Sequence, residues 1–205
     1  MKAKLGQHFL ADDSVLEFEA ESAGVRSASV LEIGAGDGRL TAKLLAHGAG
    51  HITAVELDPK LAKLLRARFR TRVSVVEADF LQFEPGKKFN VVAGNIPYYI
   101  TSPVLFKLSR MDFDRAILCL QAEVARRMAA SSGSSNYGRL SVSCQLAFDV
   151  EVLAAVGRSA FSPSPKVDSC IVLLRKTGFL PTEDEERAIA AIFSHRKKSP
   201  CSTLR

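Results

Sequence analysis

The 205-residue chain is 47% hydrophobic and 24% charged, and its 28 Lys and Arg against 22 Asp and Glu leave a formal net charge of +6. This length buries one substantial core and lies near the upper range of a single domain. No apolar run reaches the roughly 18 residues of a membrane span, and the opening MKAKLGQHFLADDSV turns acidic too soon for a secretory signal, so a cytoplasmic protein with no membrane partner is expected.

From Ser29 the apolar run SVLEI leads into the glycine cluster Gly34, Gly36 and Gly38, and LTAKLLA follows with helical spacing: a strand, a tight turn and a helix. HITAVE repeats the strand pattern, Asp58-Pro59 opens the helix KLAKLLRARF, and VSVVE and FNVVAG read as two further strands. Next come a strand at RAILCL, a helix at QAEVARRMAA, a polar SSGSSN loop, a helix through RLSVSCQLA, and strands near VEVLAA and VDSCIVLLRK. Thr182 and Glu185 form a capping box that starts the last helix, EDEERAIAAIF. Strands alternating with helices predict an α/β fold with a parallel, doubly wound sheet.

The cysteines (Cys119, Cys144, Cys170, Cys201) are far apart and form no CxxC pair, so buried thiols are expected rather than a disulfide or a metal site. His47, His51 and His195 have no partner pattern that suggests catalysis and read as surface or core residues. The excess charge is concentrated at the end, where Arg196, Lys197, Lys198 and Arg205 occur with no acid after His195. Such a run is either a solvated tail or a phosphate-binding patch.

Glycines directly after a strand let the backbone approach a ligand and leave free amides at the next helix N-terminus. The dinucleotide fingerprint wants its third glycine one residue later than Gly38, so a nicotinamide cofactor is disfavoured. Glu56 closes the second strand, where a carboxylate can accept both hydroxyls of an adenosine ribose, and Asp79 ends the third. Each acid could instead cap the turn that follows it. Together with the glycines they read as a nucleoside pocket at the carboxyl edge of the sheet.

LEIGAGDG followed by VELD resembles the cofactor site of class I methyltransferases, and AGNIPYYIT resembles the NxPY signature of N6-adenine methyltransferases. GQHFL at 6–10, YGRLSV at 137–142, FSPSPKVDS at 161–169 and FSHRKKS at 193–199 are similar to the small-subunit ribosomal RNA adenine dimethyltransferases. The resemblance implies a mostly parallel, seven-stranded Rossmann-like sheet with helices on both faces and S-adenosyl-L-methionine as cofactor. It implies that His8 and Leu10 close over that cofactor and that Gly34, within the Gly34 to Gly36 turn, approaches its methionine part. Glu56 then holds the ribose, Asp79 reads the adenine amine, and Asn95 lies next to the transferable methyl group. Small-subunit ribosomal RNA, free or in a partly assembled small subunit, is the implied partner of a monomeric enzyme. Family members continue past the HRKK segment into a small helical lobe. Residues 1–194 are therefore expected to form the catalytic domain, and 195–205 a basic tail where that lobe would begin.

An adenine amine is a poor nucleophile, because its lone pair is delocalised into the ring. The Asn95 side-chain oxygen and the carbonyl of Ile96 or Pro97 could hold its protons without a strong base, and Pro97 stiffens the turn that aims them. No metal is required. Tyr98 is the natural stacking platform for an extruded base, and the family likeness puts Phe161 on the other side of it. Tyr99 is expected to be structural. Rival readings are a large-subunit methyltransferase of the antibiotic-resistance type and a non-catalytic ribosome-assembly or transcription factor; YGRLSV and SHRKKS weigh against the first, and the intact NIPYY, Glu56 and Asp79 against the second.

Overall fold

The computed structural model describes residues 8–179 and 181–194. Its strands are β1 (Phe9–Leu10), β2 (Ser29–Ile33), β3 (His51–Glu56), β4 (Val73–Glu77), β5 (Phe89–Asn95), β6 (Phe113–Gln121), β7 (Phe148–Val156), β8 (Phe161–Ser162) and β9 (Ser169–Lys176). Its helices are α1 (Asp13–Ala23), α2 (Arg39–Ala46), α3 (Pro59–Phe69), α4 (Thr101–Arg110), α5 (Ala122–Met128), α6 (Arg139–Ala147) and α7 (Glu183–Ser194). Seven strands form one sheet in the order β4-β3-β2-β5-β6-β9-β7. The first five are parallel, whereas β9 runs antiparallel to both β6 and β7. The expected doubly wound, mostly parallel sheet is therefore present.

The strands read as continuous apolar runs because both sheet faces are covered. Successive residues point to opposite faces. On one face Val30, Ile52, Val91 and Ile117 pack under Leu16, Leu44 and Leu65 of α1, α2 and α3. On the other, Leu31, Val55, Val92 and Leu118 pack under Leu105, Ala125 and Ala147 of α4, α5 and α6. Each fully buried Leu, Ile or Val contributes about 1.5–3 kcal/mol, so the two layers hold the sheet from both sides.

Helix starts follow local chemistry. Asp12 accepts hydrogen bonds from the Ser14 and Val15 amides at the head of α1, and Asp58 caps α3 with Pro59 in its first turn. The capping box before α7 forms as expected: the Thr182 amide donates to Glu185 Oε2 at 2.7 Å, and the Glu185 amide donates to Thr182 Oγ1 at 3.3 Å. Arg110 on α4 holds α7 through Glu186 at 3.0 Å.

Four elements were not legible as such in the sequence: α1, α4, β1 and β8. The inner face of α1 is broken by the acid Glu19, and α4 carries Pro103 in its first turn. Strands β1 and β8 are two residues each and exist only because Leu10 pairs with Phe161 across the chain. The helix expected from Gln121 begins at Ala122, since Gln121 pairs with Ser169 as the last residue of β6.

Candidate functional site

Asn95, Glu56 and Glu77 all end parallel strands at one edge of the sheet. A cavity of about 720 Å³ opens there, and it is lined by all ten residues singled out for cofactor and base, from His8 and Leu10 to Tyr98 and Phe161. Residues 195–205 of the expected basic tail, including Arg196, Lys197, Lys198 and Arg205, lie outside the described residues, as does Cys201.

The turn after β2 is held from β3. Glu56 is 3% exposed and accepts the Gly36 amide at 2.8 Å through Oε2 and the Asp58 amide at 2.9 Å through Oε1. Gly34 and Gly36 adopt φ of 66° and 59°, a region L residues rarely adopt. Nothing lies within 4 Å of where a Gly34 side chain would be, so the cavity reaches the bare backbone at this point. Asp79 does not end the third strand as expected, because β4 stops at Glu77; it is half-buried and caps the turn at Phe80–Gln82 by accepting the Leu81 amide at 2.9 Å. The capping role that the sequence left open is thus real for both acids, and both still face the cavity.

At the end of β5 the chain turns sharply. The Ile96 amide donates to the Cys119 carbonyl at 3.1 Å, and the Ile100 amide takes the Pro97 carbonyl at 3.0 Å. Of the two carbonyls considered from the sequence, that of Pro97 is thus committed to the turn. The Asn95 side-chain oxygen is buried and has no hydrogen-bond partner, an uncommon state for a polar atom. Beside it the Cys119 thiol is pushed well above its ordinary pKa by burial and stays protonated.

Tyr98 is fixed from two sides. Its hydroxyl shares a 2.8 Å hydrogen bond with Ser169 Oγ, and its ring stacks on His8 with centroids 5.9 Å apart. Burial raises its pKa despite the Ser169 bond. His8 Nδ1 donates to the Pro163 carbonyl at 2.7 Å, and the Ala11 amide donates to the Ala160 carbonyl at 2.7 Å. These bonds, with the β1 to β8 pairing, strap the N-terminal segment across the cavity. Phe161 is 7% exposed and packs with Leu10, Leu16 and Ile171, so it is a cavity wall embedded in the core.

Tyr99, expected to be structural, is 60% exposed at the cavity mouth. His47 and His51, read from the sequence as surface or core residues, make bonds to Glu17 at 2.6 Å and Ser74 at 2.9 Å. Cys119, Cys144 and Cys170 are buried and unpaired. The sequence reading missed Glu32 and Ser169, both at the cavity. An acid inside the apolar run SVLEI was a legible signal for Glu32. Ser169 had none, because its role depends on Tyr98 reaching it from 71 residues away.

No helix among the described residues is long and apolar enough to cross a membrane. Residues 1–192 match the family model for ribosomal RNA adenine dimethylase. The chain is 42% identical over 216 residues to the "probable ribosomal RNA small subunit methyltransferase A" of Methanopyrus kandleri, covering 99% of this chain and 76% of the relative. Among solved structures, a dimethyladenosine transferase from Plasmodium falciparum is 36% identical with a TM-score of 0.85, over 91% of this chain and 71% of that one. The 23S rRNA methyltransferase ErmE is 35% identical with a TM-score of 0.78, over 93% of this chain and 81% of that one. The chain therefore belongs to the ribosomal RNA adenine dimethylase family of S-adenosylmethionine-dependent methyltransferases.

Proposed function

We propose that the cavity binds S-adenosylmethionine beside one extruded adenosine of small-subunit ribosomal RNA, and that the chain methylates the N6 amine, twice in succession. The observation that carries this reading is the Asn95 oxygen, a buried acceptor without a donor at the end of β5. An amine proton of the target base would satisfy it.

The residues fit the cofactor. The open backbone at Gly34 admits its methionine part beside Gly36, which is closed over by the Phe9 ring. Glu56 and Asp79 offer acceptors to ribose and adenine amine, and His8 and Leu10 cover it from the strapped N-terminal segment. When bound, it supplies an electrophilic methyl group on a sulfonium. Asn95 Oδ1 and the Ile96 carbonyl hold the amine protons and favour a tetrahedral nitrogen, and Pro97 keeps both aimed. Tyr98 stacks on the base, anchored by Ser169, with Phe161 as the opposite wall. Positioning supplies most of the remaining acceleration.

The match to small-subunit methyltransferases, together with YGRLSV, supports small-subunit RNA over the large-subunit alternative. The enzyme acts as a cytoplasmic monomer on assembled or partly assembled small subunits in preference to a bare hairpin. Arg196, Lys197, Lys198 and Arg205 track RNA phosphates and set affinity rather than base choice. Neutralising all four should lower the log-log salt slope of RNA binding by at most roughly 3 and leave the methylated nucleotide unchanged.

The decisive test separates binding from chemistry. Asn95→Ala should lower single-turnover methylation of small-subunit RNA, read by mass spectrometry, by about a hundredfold or more, the scale for one preorganised polar group. Cofactor affinity should fall much less. Near-normal turnover in the variant would refute the mechanism.

A further inference from the structure

Strands β6 and β7 end, and β9 begins, at the same edge as Asn95: Gln121 and Val156 both lie opposite Ser169. Three exposed cations stand on the loops and helix that leave this edge. Arg126 is on α5, whose first amide, Ala122, donates to the Asp168 carbonyl at 3.0 Å. The Arg158 amide donates to Asp168 Oδ1 at 2.9 Å, and its carbonyl accepts Ser164 Oγ at 2.9 Å. Lys166 lies between Ser164 and Asp168, the two residues so fastened. The next residue, Ser169, holds the Tyr98 hydroxyl. Three cations from separate segments are thus gathered through Asp168 around the side of the cavity where Tyr98 sits. The reach of the Arg126 charge to the Cys170 thiol, whose burial-raised pKa it partly lowers, agrees with that placement.

Their charge is free. Many surface cations are neutralised by acids: Lys43 by Asp13 and Glu17, Lys88 by Asp112 and Asp114, Arg175 by Asp149 and Glu151. No carboxylate among the described residues pairs with Arg126, Arg158 or Lys166. Of the acids in this region, Asp168 is tied to the Arg158 amide, and Glu123 lies one turn before both Arg126 and Arg127 on α5 without an ion pair to either. Free cations beside a mouth that admits one base suit a polyanion whose neighbouring phosphates stay outside.

We propose that Arg126, Arg158 and Lys166 form a phosphate clamp for single-stranded RNA flanking the adenosine admitted at Tyr98. The clamp rests on the methyl-transfer reading for its occupant. It holds the strand without reading sequence, since phosphate contacts position the substrate and carry no base information. Single-stranded segments are the expected occupant because a base leaves them at little cost.

The test measures binding of a fluorescently labelled single-stranded RNA oligomer containing adenines, by anisotropy across a salt series. The variant Arg126→Gln/Arg158→Gln/Lys166→Gln is compared with Arg26→Gln/Arg72→Gln/Lys87→Gln. The latter removes the same charge from exposed residues that precede β2, β4 and β5, at the opposite edge of the sheet. The log-log slope should fall by about 2 in the first variant and hardly change in the second, given about 0.7 per neutralised phosphate of a single strand. Cofactor affinity and single-turnover rate at saturating RNA should hold. An unchanged slope in the first variant, or an equal loss in both, overturns the clamp. An equal loss of slope on duplex RNA overturns its single-strand occupant. A wild-type protein that binds RNA but transfers no methyl overturns the methyl-transfer reading instead, while the slope comparison still decides the clamp.

Discussion

Glu19 lies on the inner face of α1 at 0% exposure, and neither of its carboxyl oxygens has a hydrogen-bond partner. Burial, then the charge of Glu32, pushes its pKa up from 4.5 to about 8. Glu32 on β2 is likewise pushed to about 8 by burial, with Thr41 partly opposing and Glu56 adding to the rise. A carboxyl whose folded pKa is raised holds a proton that the unfolded chain has already released. Its stability contribution is fully present below about pH 4.5 and is lost as pH rises towards 8. In that window each such carboxyl lowers stability by about 1.4 kcal/mol per pH unit, which reaches about 3 kcal/mol at pH 7. Glu19→Leu removes one of the two and adds apolar contact with Leu16 and its neighbours. Urea unfolding followed by circular dichroism, at about pH 5 and about pH 8, should show the variant's advantage growing with pH. At pH 7 the gain of about 3 kcal/mol corresponds to a melting temperature roughly 6–12 °C higher. If the variant were less stable than wild type at pH 8, or kept the same pH slope, Glu19 would not be a buried, unpaired acid.

Glu56→Ala should weaken cofactor binding by roughly 1.5–3 kcal/mol, the scale of charged hydrogen bonds, and calorimetry with unchanged affinity in a folded variant would remove Glu56 from the site. Tyr98→Phe, which a pure stacking role would tolerate, loses the 2.8 Å bond to Ser169; a several-fold rise in KM for RNA with an intact ring is expected, and equal kinetics would show that the anchor is idle. Gly94→Ala would put a side-chain carbon 2.6 Å from the Ile33 carbonyl oxygen between two central strands, so thermal unfolding should show a loss of about 1–3 kcal/mol, and a neutral outcome would mean that β2 and β5 can separate freely.

Within the chain, patterns that repeat locally were legible and those made by distant pairing were not. The apolar runs of β2, β3 and β5 and the capping signals before α3 and α7 state their elements in a few adjacent residues, because strand and helix periodicities are local properties. The parallel sheet follows from their alternation with helices. Glu56 and Asn95 could be placed at one edge from the sequence, since each closes a strand of that sheet, and Asp79 follows two residues after the end of β4. Helix α1 was hidden because its buried face carries Glu19, an acid where the apolar stripe should continue. The N-terminal strap was hidden because strands of two residues carry no periodicity.

What the sequence by itself determined is the α/β class, the sheet edge at which the cavity opens, the NIPYY turn that lines it and the family, all of them written in short runs of neighbouring residues. Only the tertiary structure decided that Tyr98 leans on Ser169 and His8, that Phe161 is a wall packed into the core, and that the Pro97 carbonyl is already taken while the Asn95 oxygen is left open. It likewise brought the segments that carry Arg126 and Arg158 to Asp168, two residues after Lys166. Hydrogen-bond partners and unpaired charges depend on where distant segments come to rest, and that is set by how the two helical layers close on the sheet rather than by any local pattern.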